Sequence, residues 1–104
     1  MELEIKRHPD KSVIILEKNV IIGSDAATLQ NAVLDLIQEG STTVVVNLSK
    51  LNYITSWGIG TLFHALTTCR NRDVEFYLSG VNQKIHDILE KVKLLQVFNI
   101  MENK

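Results

Sequence analysis

A chain of 104 residues has the length of one ordinary domain, and 45% hydrophobic against 22% charged residues, with one proline, excludes disordered and collagen-like classes. Eleven basic against twelve acidic side chains leave a net charge of -1, so no broad electropositive face is expected for nucleic acid or anionic membrane, and another protein's surface is the expected partner. Cys69 is the only cysteine, which excludes an internal disulfide and a cysteine-rich zinc site and fits the cytoplasm. No run approaches the roughly 20 apolar residues of a membrane span, and residues 1–7 alternate charged with apolar side chains instead of forming a secretory signal.

In chain order, Leu3 to Arg7 and Ser12 to Glu17 read as two strands of an antiparallel hairpin, separated by the turn residues His8-Pro9-Asp10-Lys11. Asn19 to Ile22 could extend that sheet. A helix is predicted over 26–39, with Ser24 or Asp25 accepting from its first free amides and Gly40 ending it. The run Thr42 to Leu48 is β-branched and continuous, the pattern of a central strand covered on both faces. A second helix follows at about 57–71, a strand at 74–78, a turn at Ser79-Gly80, a third helix at 82–92 and a last element at 97–100. This alternation predicts one α/β domain over 1–104: a mixed β-sheet with parallel central strands, right-handed crossovers, an N-terminal antiparallel hairpin and flanking α-helices.

Residues 53–63, Tyr-Ile-Thr-Ser-Trp-Gly-Ile-Gly-Thr-Leu-Phe, join a buried strand to a helix, where free amides favour negative charge. At about 100° per residue, Ile59, Leu62, Phe63 and Leu66 form the core stripe with Cys69 at its margin, and Trp57, Thr61, His64, Thr68 and Asn71 face away. Trp57 is then either an interface anchor or covered by a neighbouring loop. Ser56 is either a helix cap, which the local sequence favours, or a free hydroxyl beside that anchor.

The segment from Leu51 to Gly60, following Val44-Val45-Val46-Asn47-Leu48-Ser49, resembles the signature of STAS domains of the anti-sigma factor antagonist type, and the likeness extends over nearly the whole chain. In that family the strand is followed by Asp-Ser-Ser/Thr-Gly-Leu/Ile-Gly. The resemblance implies that Ser56 is phosphorylated by a serine kinase that doubles as an anti-sigma factor. It also implies that the unphosphorylated domain binds that kinase and frees a sigma factor, and the contact surface expected from the residues themselves is Thr55, Ser56, Trp57, Gly58, Thr61 and His64. Two residues depart from the pattern: Thr55 replaces Asp, and Trp57 replaces a small Ser or Thr. The alternative is a STAS scaffold or homo-oligomer that uses Trp57 as a permanent anchor and is never phosphorylated.

Catalytic readings fail on spacing. Ile54 occupies the place of the first glycine in a nucleophile elbow, and His64 lies on the same helix as Ser56. Gly58-Ile59-Gly60 lacks the third glycine of a dinucleotide fingerprint, so close helix packing is the expected reason for both glycines. His8, His64 and His86 are scattered without a second donor at metal spacing, so no metal, no cofactor and no enzyme activity are predicted.

Overall fold

The computed structural model describes residues 2–101. The elements are β1 (Leu3–Arg7), β2 (Lys11–Leu16), α1 (Asp25–Gln38), β3 (Thr43–Asn47), α2 (Ser56–Asn71), β4 (Glu75–Ser79) and α3 (Gln83–Lys91), then a 3-10 turn (Leu95–Val97) and β5 (Asn99–Ile100). Pro9 lies in the β1–β2 turn, which closes through His8 N–H to the Lys11 carbonyl at 2.8 Å, and the hairpin pairs Ile5 with Ile14 and Leu3 with Leu16. Asn19 to Ile22 do not extend the sheet. They cross to α1 instead, and Ile21 is buried there as a core side chain.

The five strands lie side by side in the order β1-β2-β3-β4-β5, antiparallel at β1/β2 and parallel from β2 onward. From β2 every step goes the same way, so right-handed crossovers place α1, α2 and α3 on a single face of the sheet. The core agrees with this. Ile14, Leu16, Val44, Val46, Phe76 and Leu78 share one apolar cluster with Leu29, Val33 and Leu36 of α1, Leu62 and Leu66 of α2, and Ile85 and Leu89 of α3.

The expectation of a central strand holds, but helices do not cover it on both faces. On the reverse face Val45 is buried beside its register neighbours Val13 and Tyr77, which are themselves half-exposed. Lateral crowding in the sheet therefore produced the continuous apolar run that suggested a second helical layer.

Helix ends follow local chemistry. Gly40, at φ +102, ends α1, and Gly40 N–H and Ser41 N–H return to the carbonyls of Ile37 and Leu36 at 3.0 Å. Asn82 caps α3 by accepting from Ile85 N–H at 2.8 Å.

Candidate functional site

The segment between β3 and α2 is held at several points. Leu48, Leu51 and Ile54 are buried anchors, and the Asn47 side chain accepts from Ser49 N–H at 2.8 Å. Asn52 N–H reaches the Asn19 carbonyl at 2.7 Å, and the Asn82 amide donates to the Leu51 carbonyl at 2.9 Å, tying the segment to the start of α3. Gly80, at φ +64, lets the β4–α3 turn lie on this segment. A Cβ there would stand 2.9 Å from the backbone nitrogen of Ser49.

These ties fix where α2 begins, and they correct the expectation for Ser56. Thr55 is the cap: its backbone is extended and its hydroxyl accepts from Gly58 N–H at 3.2 Å. The threonine that replaces the family's Asp thus keeps an acceptor at the cap, without the charge. Ser56 is the first helical residue, exposed, and its hydroxyl has no intramolecular hydrogen-bond partner among the described residues. It sits beside the unpaired amides of the first turn, where the helix dipole favours negative charge.

The buried arc of α2 differs from the predicted stripe. Leu62, Leu66 and Cys69 are inside and Ile59 is half-buried, but Phe63, expected in the core, is 44% exposed. Thr61, expected outward, is 8% exposed and donates to the Trp57 carbonyl of its own helix at 2.9 Å. The cause is α1, which packs along the side of α2 that a single stripe leaves to solvent, as the bond from the Gln30 amide to the Thr68 hydroxyl at 2.9 Å shows. The small residues Thr61 and Ala65 suit that approach, and both are buried, as is Gly58, which faces the connecting segments and not α1.

Gly58 is therefore a packing residue and not part of the exposed face. A Cβ on it would lie 2.8 Å from Ile54 Cγ1 and 3.5 Å from Ile21 Cβ. Gly58→Ala is expected to destabilise the domain by about 2 kcal/mol through overpacking, read as a lowered denaturation midpoint with an unchanged slope. Gly60 is different: no neighbouring atom lies within 4 Å of a Cβ placed there, so helix packing does not explain it.

Trp57 is 54% exposed and His64 is exposed, as the helical period predicts. With Ser56, Gly60, Thr61 and Ala26 of α1 they line an open hollow of about 300 Å³. Among the described residues, no carboxylate, ammonium or guanidinium lines it. Ala26, which also lines the hollow, carries no sign of that placement in the sequence.

Asp25, one residue earlier, fixes this wall. It is 1% exposed, accepts from Ile22 N–H at 2.7 Å and pairs with the Lys18 ammonium at 2.9 Å. Ser24 makes no side-chain cap bond, so neither residue caps α1 as expected; Asp25 closes the turn before the helix instead. Burial acts to raise its pKa, but the Ile22 and Lys18 hydrogen bonds outweigh it, and the carboxyl is held below its ordinary range. Burial pushes the Cys69 thiol up to about 11, which leaves it unreactive as a nucleophile at neutral pH.

One side-chain group lies nearer to metal-ligand geometry than the sequence suggested. His86, Asp87 and Glu90 of α3 bring donor atoms within 4.8 Å of one another, so His86 does have second donors nearby. Its Nδ1 is buried without a hydrogen-bond partner among the described residues, although the side chain as a whole is 40% exposed.

The family model described as STAS domain matches residues 2–104. This chain belongs to the STAS domain family. An anti-sigma-B factor antagonist from Staphylococcus aureus is 27% identical over 74 residues, covering 71% of this STAS chain and 68% of that protein. Its counterpart from Staphylococcus epidermidis matches to the same extent. Among solved structures, RsbS from Moorella thermoacetica superposes with a TM-score of 0.82 at 15% identity, covering 100% of this chain and 89% of that one. An anti-sigma factor antagonist from Thermotoga maritima gives 0.77 at 22% identity, covering 97% and 86%. The expected STAS architecture is thus the observed one. Among the described residues, no helix is long and apolar enough to cross a membrane.

Proposed function

We propose that this STAS domain is a cytoplasmic regulatory module that binds a serine kinase acting as an anti-sigma factor, and that phosphorylation of Ser56 controls the complex. The observation that carries this reading is the Ser56 hydroxyl itself: exposed, without an internal partner, at the start of α2 and on the rim of an uncharged hollow. A phosphate brings about -1.5 to -2 charges and three acceptor oxygens. The first-turn amides of α2 can receive them without disturbing the core, so the effect falls on whatever docks against the hollow. The antagonist names of the Staphylococcus relatives support a partner of the anti-sigma class.

The test is to incubate the chain with purified serine kinases of its host and ATP, and to map modified residues by mass spectrometry with Ser56→Ala as control. Label confined to Ser56 supports the switch. A stable complex without label would favour a permanent scaffold anchored by Trp57, whose indole stands next to the hydroxyl and narrows the approach to it. Under either reading Trp57→Ala is expected to weaken partner binding about 30-fold, the effect of truncating a central aromatic anchor worth ~2 kcal/mol. Titration calorimetry measures this, with a thermal melt confirming that the fold is intact.

A further inference from the structure

Gly60 has no internal reason to be glycine. It lies within α2, not at a turn; its φ is not in the left-handed region, and a Cβ on it would meet no neighbouring atom within 4 Å. An exposed helical position with free space ordinarily favours alanine over glycine. Gly58, two residues earlier, shows the contrast, because a Cβ there collides with Ile54.

What surrounds Gly60 gives the missing side chain a meaning. On a helix the neighbours of a residue are those three and four positions away. For Gly60 these are Ser56, Trp57, Phe63 and His64, and all four are exposed. Two aromatic rings, of Trp57 and Phe63, 54% and 44% exposed, therefore flank a bare stretch of helix backbone. Ser56 and His64 close the other two sides of this hole. None of the five residues carries a formal charge with histidine neutral, and the hollow of about 300 Å³ shares Ser56, Trp57, Gly60 and His64 with this hole and opens on the side away from Phe63, toward Ala26.

We propose that Gly60 is the floor of a socket between Trp57 and Phe63 that receives an apolar side chain of the partner kinase, seated directly on the backbone of α2. This rests on the regulatory reading above and specifies its contact. The absence of charge around the socket selects an aliphatic or aromatic knob, since a charged one would lose its hydration without gaining a counter-ion. The geometry is that of a knob entering a hole on a helix surface, where a small residue sets how closely the two chains approach. Ser56 forms one edge of the hole, so modification there and filling of the floor obstruct the same knob by different means.

The experiment compares Gly60→Ala and Gly60→Leu with the wild-type chain, in thermal melts and in calorimetric binding to each purified serine kinase anti-sigma factor of the host. Gly60→Ala is expected to raise the melting temperature by about 4 °C while weakening binding at least tenfold, and Gly60→Leu to weaken it further. A kinase that binds wild type and both variants equally overturns the socket and leaves the regulatory reading standing. A lowered melting temperature for Gly60→Ala also overturns it, because the glycine would then serve the fold. Failure of the wild-type chain to bind any host kinase removes the regulatory reading, and the socket falls with it.

Discussion

Ser56→Asp is expected to stabilise the free domain slightly while weakening its complex with the proposed partner kinase at least 100-fold. The two effects have opposite sign because the carboxylate has two environments. In the free domain it stands in the first turn of α2, beside unpaired amides, where a negative charge is worth about 0.3–1 kcal/mol. In the complex the same charge borders a hollow lined by Ala26, Trp57, Gly60, Thr61 and His64, with no cation among them. Burying a carboxylate there without a partner costs several kcal/mol, and about 2.7 kcal/mol already corresponds to 100-fold. Ser56→Asn, similar in size and uncharged, is the control and should bind far better than the aspartate variant. A Ser56→Asp chain that melts higher and still binds as wild type would show that partners dock elsewhere.

Asp25→Ala is expected to cost about 2 kcal/mol, mainly from leaving the Ile22 amide without its buried acceptor, since Lys18 is partly exposed and can turn to solvent. The change also loosens the turn that sets Ala26 against Trp57. The pH dependence follows from the direction of the shift. The folded carboxyl ionises below its ordinary value of 3.8, so its stabilisation is fully present above that value and is lost as pH falls through the lower, folded pKa. Denaturant titrations at neutral pH and near pH 3 check both points. Wild type should lose more stability on acidification than Asp25→Ala, and parallel losses would remove the ion pair from the account.

The fold was largely legible because its signals are local and mutually consistent. Helix limits followed from Gly40 and Asn82, the hairpin from Pro9, and the parallel sheet from buried strands alternating with helices. The misreadings share one origin, side chains whose burial depends on a second element. Val45 read as covered on both faces, but its neighbours in the sheet shield it from the side. Phe63 read as core and Thr61 as surface because bulk alone located the stripe on α2. The approach of α1 beside Ala65 and Thr68 turned the buried arc toward the smaller residues.

At the site, the sequence singled out Thr55, Ser56, Trp57, Gly58, Thr61 and His64; Thr55, Ser56, Trp57 and His64 are exposed, while Gly58 and Thr61 are buried. It misplaced the cap by one residue, because Thr55 and Ser56 are equally good cap residues by type. The choice is made by the anchors Leu51 and Ile54 upstream. Ala26 was out of reach altogether, since an alanine near a helix start carries no local sign of what another helix will bring against it.

The several ties on the segment before α2 bear on how a complex forms. A recognition loop that must first settle into shape spends part of its contact energy on ordering, and its encounters are slowed while it searches. Here Leu48, Leu51, Ile54, Asn52 and the Asn82 bridge have already done that settling during folding. Association then resembles two rigid bodies meeting, at the roughly 10⁵–10⁷ M⁻¹s⁻¹ set by diffusion and orientation. On the proposed reading, a phosphate on Ser56 would be met directly by the partner, with no relay through the interior of the domain.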